Sequence, residues 1–175
     1  MALIAIRHAP TEAEGRCVGR YDVATKIPHE DAARTILERW SGAPADFAWS
    51  SPLSRCAEPA HLVAHAWSRP HRVDERVLEL AYGAWEGRAW SDLQREDGER
   101  LRAWMDAWME AAPPEGESVA ALEARVRAWW LTLPSGRHLL VAHAGVVRAL
   151  RVIVRGATWE EAMREPVPHL QPTRF

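Results

Sequence analysis

Asparagine is absent from the 175 residues, and lysine occurs once, as Lys26, beside 21 arginines. Without asparagine there is neither an N-glycosylation sequon nor a Cys-His-Asn triad. Lys26 stands in Ala-Thr-Lys-Ile-Pro with no glycine-rich turn beside it, which excludes a Walker loop and with it a P-loop NTPase. Cysteine is nearly as scarce. Cys17 and Cys56 are too far apart for a CxxC pair and too few for a disulfide framework, so free thiols in a reducing compartment, the cytoplasm, are expected. Runs of like charge are also missing: 22 basic residues face 24 acidic ones, for a net charge of −2, and neither nucleic acid nor an anionic membrane is an expected partner. Long hydrophobic runs are lacking too. The opening Met-Ala-Leu-Ile-Ala-Ile meets Arg7 after a handful of residues and has no basic leader, too short for a signal peptide or a membrane span.

What is present reads as one domain over residues 1–175, since a domain runs to roughly 150 residues, with a full hydrophobic core. Ala2 to Ile6 and His138 to Ala142 are short, wholly apolar runs, the pattern of strands buried on both faces. A loop is expected over 9–28, a helix from His29 to Trp40 closed by Ser41-Gly42, and a strand from Phe47 to Trp49. Ser50-Ser51-Pro52 supplies an N-cap and early proline for a helix to about Trp67, with a kink expected near Pro59. Val73 to Leu80 reads as extended. The stretch 80–117 reads as loop and polar helix forming a small helical subdomain, followed by helices over Ser118 to Leu133, Gly145 to Arg155 and Thr158 to Met163, then an irregular tail. The alternation predicts a three-layer α/β/α architecture with a mostly parallel sheet.

In such a fold, ligands bind beyond the carboxyl ends of the strands. Both apolar runs end in a histidine there, His8 and His143. One imidazole nitrogen can attack phosphorus when a carbonyl holds the other as a donor. Charge on the transferring phosphoryl oxygens calls for planar, permanent cations, and Arg7 and Arg55 are the candidates. The leaving alkoxide also needs a proton, which a carboxylic acid at the mouth supplies.

At these residues the chain resembles the histidine phosphatase superfamily, the phosphoglycerate-mutase-like proteins, over most of its length. Five segments carry the resemblance: Ile6-Arg7-His8-Ala9; Ser50-Ser51-Pro52-Leu53-Ser54-Arg55; Val73 to Glu79 running into Gly83-Ala84-Trp85-Glu86-Gly87; Pro114-Glu115-Gly116-Glu117-Ser118; and Val141-Ala142-His143-Ala144-Gly145-Val146-Val147-Arg148. It implies the phosphoglycerate-mutase-like fold and a phosphohistidine at His8. Arg7, Arg55 and His143 would hold the phosphoryl oxygens, and Glu79 would act as acid and base, with no metal and no cofactor. Glu75 and Glu86 are rival proton donors.

The segment Gly15-Arg16-Cys17-Val18-Gly19-Arg20-Tyr21-Asp22 is similar to the Gly-x-Cys-Tyr-Gly-Arg-x-Asp loop of the α-ribazole phosphatases. That likeness implies a small phosphorylated substrate, α-ribazole 5′-phosphate in cobalamin assembly, contacted by Arg20 and Tyr21. Other small esters, a sugar phosphate or phosphoglycerate, are the alternatives, as are a mutase and a silent phospho-ligand binder. Ala9 replaces the usual glycine and Val18 the usual tyrosine. Glu14 replaces a frequent asparagine near the phosphate, and a carboxylate there repels a dianion unless it pairs with Arg16 or Arg20. His61 and His65 have zinc-ligand spacing without a third ligand and read as helix-surface residues. Cys17 reads as loop packing. Trp85, Trp90, Trp104 and Trp108 read as core or subdomain packing, with a stripe against an aromatic substrate as the other possibility.

Overall fold

In the computed structural model, which describes residues 1–175, the two apolar runs lie side by side as parallel strands. β1 (Ala2–Arg7) pairs with β4 (Arg137–Ala142) from Ala2↔Arg137 to Arg7↔Ala142. The His8 amide adds one more ladder bond to the Ala142 carbonyl, at 3.0 Å, so His8 and His143 leave the sheet at one edge. β2 (Phe47–Ser50) flanks β4, β3 (His71–Val73) forms one border, and β5 (Pro172–Arg174) runs antiparallel to β1 at the other.

The runs are uninterrupted because helices cover both faces. Ile4, Ile6, Ala48, Leu139 and Val141 pack against α1 (His29–Arg39) and α2 (Ser54–Ala66). Leu3, Ala5, Trp49, Leu140 and Ala142 pack against α5 (Val119–Trp130), α6 (Ala144–Arg155) and α7 (Trp159–Arg164). The excursion over 80–117 carries a 3₁₀ turn (Gly83–Trp85), α3 (Trp90–Glu96) and α4 (Gly98–Asp106), with its own small core of Trp85, Leu93 and Leu101 around Cys17. No helix is long and apolar enough to cross a membrane.

Three local expectations are corrected. α2 starts at Ser54 rather than at a serine cap: Leu53 is its N-cap residue, and Ser51, fully buried, gives its hydroxyl to His143 instead. Pro59 lies inside this helix, as read from the sequence, and its missing N–H removes the bond to the Arg55 carbonyl. Val73 to Leu80 is not extended throughout; Asp74 accepts from the Arg76 amide at 2.9 Å and turns the chain into a 3₁₀ turn over Glu75–Val77. The tail is not wholly irregular, because β5 pairs Ile4↔Arg174 to Ile6↔Pro172, with proline tolerated on the border strand.

Candidate active site

His8 is 8% exposed, and its Nδ1 lies 2.7 Å from the Ala9 carbonyl. A carbonyl only accepts, so Nδ1 carries the proton and Nε2 is left with a lone pair. Burial, then the Arg55 charge, pushes the His8 pKa down to about 3, leaving a neutral imidazole at neutral pH. His143, fully buried at the N-terminus of α6, meets it edge to face with ring centroids 5.2 Å apart. Its Nε2 is 2.8 Å from the Ser51 hydroxyl. Burial, then His8 and Arg55, holds the His143 pKa well below the usual value.

Arg7 donates through Nη1 to the Val167 carbonyl at 2.9 Å. Arg55, 1% exposed, donates to the carbonyls of Tyr21 at 2.9 Å and Gly19 at 2.6 Å, and lies 3.5 Å from the Asp22 carboxylate. Those bonds occupy both guanidinium tips of Arg55 and one of Arg7, while the buried Nε of each arginine has no protein acceptor. The Glu79 carboxylate is held by backbone donors, Leu80 N–H at 3.0 Å and Gly145 N–H at 3.1 Å. A Cβ on residue 145 would overlap Glu79 Oε1, so glycine is what admits the carboxylate.

Arg7, His8, Arg55, Glu79 and His143 all line one polar cavity of about 360 Å³. The rival acids do not line it. Glu75 is exposed on its turn, and Glu86 spends both oxygens on the amides of Gly19, Arg20, Tyr21 and Tyr82, at 2.8–3.1 Å. Arg20 and Tyr21 are also outside the lining: Arg20 pairs with Glu117 at 3.1 Å, and the Tyr21 side chain is 58% exposed. Glu14 pairs with Lys26 at 2.8 Å, not with Arg16 or Arg20, because Arg16 is engaged by the Gly87 carbonyl at 2.9 Å. Both Glu14 and Lys26 belong to the cavity wall.

His169 is the residue that sequence reasoning missed. Its Nδ1 donates to the His8 carbonyl at 2.6 Å, its ring meets the His8 ring at 5.4 Å, and it lines the cavity. Nothing in Val-Pro-His-Leu-Gln signals this, since it is the long-range bridge between His169 and Arg7, just ahead of β5, that brings it there.

Residues 3–174 match the histidine phosphatase superfamily (branch 1). The chain belongs to this superfamily. Within it, the chain is 30% identical over 156 residues to the adenosylcobalamin/alpha-ribazole phosphatase of Escherichia coli K12, covering 86% of this chain and 77% of that protein. It is 28% identical over 163 residues to phosphoserine phosphatase 1 of Hydrogenobacter thermophilus, covering 88% and 76%. The crystal structure of the alpha-ribazole phosphatase from Shigella flexneri superposes with a TM-score of 0.87 at 26% identity, over 99% of this chain and 89% of that one.

Proposed function

We propose that this histidine phosphatase hydrolyses small phosphate monoesters through a phosphohistidine at His8. The observation that carries the reading is His8 itself: an imidazole with one nitrogen pinned to the Ala9 carbonyl, lining a cavity beside two guanidiniums whose Nε donors have no protein acceptor. Nε2 attacks phosphorus in line, forming the N–P bond as the ester P–O bond breaks. The leaving oxygen takes a proton from the Glu79 carboxyl. Glu79, now a carboxylate, then removes a proton from water, which attacks the phosphohistidine and returns His8 with free phosphate. Arg7 and Arg55 compensate the charge on the phosphoryl oxygens and the neutral His143 donates a hydrogen bond to them, so the scheme calls for no metal or cofactor.

The substrate we favour is α-ribazole 5′-phosphate. Support comes from the Gly15–Asp22 segment and from the 30% identical relative that carries that activity in its name. The test is phosphate release from a panel of small monoesters in EDTA, with acid quenching avoided so that the acid-labile phosphohistidine is trapped. The parent is expected to prefer α-ribazole 5′-phosphate by a hundredfold or more in kcat/KM, about 2.7 kcal/mol. His8→Ala is expected to form no phosphoenzyme and lose turnover while keeping its fold. Even activity over the panel discards this substrate but keeps the mechanism; residual His8→Ala activity within tenfold of the parent sinks the mechanism.

A further inference from the structure

A second cavity of about 270 Å³ opens beside the first, and Glu79 belongs to the walls of both. The two differ in chemistry. Around His8 the wall is polar and charged, whereas the second cavity is walled by Trp104, Trp108 and Trp159, with Met105 and Met163 at its rim, 59% and 48% exposed. Trp85 is the tryptophan that serves as packing, 1% exposed with its indole N–H on Asp97. Trp104 and Trp108 are only partly buried, and their rings are fixed by neighbours. Trp104 sits edge-on to Trp85 and Tyr82, and Trp108 edge-on to Trp159, which is anchored to Glu123 by a 2.8 Å bond. Such rings keep their flat faces in place before anything binds.

One cation interrupts this wall. Arg148, from α6, lines the cavity, and its buried Nε has no acceptor in the protein. Its charge acts on Arg7, in the wall of the first cavity, and on Tyr82, which lines the second with it.

We propose that the second cavity is the leaving-group subsite, and that it takes a flat aromatic or fused-ring body bearing a hydrogen-bond acceptor for Arg148. This rests on the phosphatase reading and sharpens it. Glu79 protonates the leaving oxygen, so with phosphorus at His8 the rest of the ester extends past Glu79, and the aromatic cavity is what lies on that side. Size agrees: an apolar cavity of roughly 150 Å³ holds one benzene ring, so this one has room for a bicyclic system. A serine or glycerate leaving group would set its charges against tryptophan and methionine with only Arg148 to answer them.

The test compares alkyl phosphates whose leaving groups need the proton equally: 2-naphthylmethyl phosphate, glycerol phosphate and phosphoserine. The parent is expected to favour the naphthylmethyl ester at least thirtyfold over glycerol phosphate in kcat/KM. Trp108→Ala, and separately Met105→Glu, should cut that preference at least tenfold. Met105 is exposed, so its variant tests the subsite even where Trp108→Ala does not fold. Quenching of tryptophan fluorescence by 2-naphthalenemethanol, weakened in the same variants, reports on the cavity without turnover. An unchanged preference in both variants, a parent preference for phosphoserine, or a Met105→Glu effect on oligomeric state alone would overturn the subsite while leaving the phosphatase standing. Silence on every ester with no phosphoenzyme overturns the phosphatase reading, and the leaving-group role with it.

Discussion

Gly145 shows how one missing methyl group decides what a neighbouring side chain can do. By intrinsic propensity, alanine in a helix is favoured over glycine by about 1 kcal/mol. At position 145 that gain is set against overlap with the Glu79 carboxylate and crowding of Leu122 at 3.1 Å. Gly145→Ala is therefore expected to lose activity without a matching loss of thermal stability. Esters with poor leaving groups should slow about ten- to a hundredfold, a partial loss of the hundredfold or more that general-acid catalysis supplies, and p-nitrophenyl phosphate much less. Equal losses on both would place the acid elsewhere. His169 offers a second test. His169→Ala removes the donor to the His8 carbonyl and should lower kcat about tenfold, the size of one net hydrogen bond, while His169→Asn, which can still donate, recovers most of it. A parental kcat in the alanine variant would show that His169 does nothing for His8. Of the ionisable groups around the cavity, Arg7, His8, Arg55, Glu79 and His143 were legible because each sits in a segment with a recognisable pattern. His169 was not, since its neighbour His8 is 161 positions away and no local pattern links them.

Among the elements, the segment 15–22 has no regular structure yet is fastened on two sides. Glu86 collects the amides of three consecutive residues, Gly19 to Tyr21, and Arg55 takes the carbonyls of Gly19 and Tyr21. Gly19 has no room for a Cβ against the Leu80 carbonyl. The loop thus orients Arg55, and Glu86 orients the loop. Glu86→Ala is expected to cost about 1–3 kcal/mol of stability, from donors left without their acceptor, and to raise KM for every ester alike. Thermal melts and kinetics across leaving groups check this; a loss confined to poor leaving groups would make Glu86 an acid after all. The elements themselves were readable in proportion to their burial. β1 and β4 must be apolar throughout because helices cover both faces, whereas β3 and β5, three residues each at the sheet borders, ask little of their sequence. Ser51 misled for a related reason: a serine before a helix suits a cap, and only the fold reveals that His143 claims its hydroxyl.

For the molecule as a whole, the neutral histidines set a limit in acid. Burial lowers the pKa of His8, His143, His71, His138 and His169. In the unfolded chain each returns to about 6.5, so between that value and the folded one the unfolded state binds the extra proton. Stability is therefore full above about pH 6.5 and falls as the pH drops toward 3; His8 alone accounts for about 2 kcal/mol between pH 7 and pH 5. Urea denaturation at pH 7 and pH 5 should show that loss, reduced in His8→Ala, and no loss at all would mean that these rings are charged in the native state. The sheet order has a consequence in time. β1 leaves the ribosome well before its partners and finds its parallel neighbour only after residue 142 has been made and its border strand only after residue 174. Until then Leu3 to Ile6 is a bare apolar edge, open to chaperones or to other nascent chains, and His8 beside it has no cavity around it.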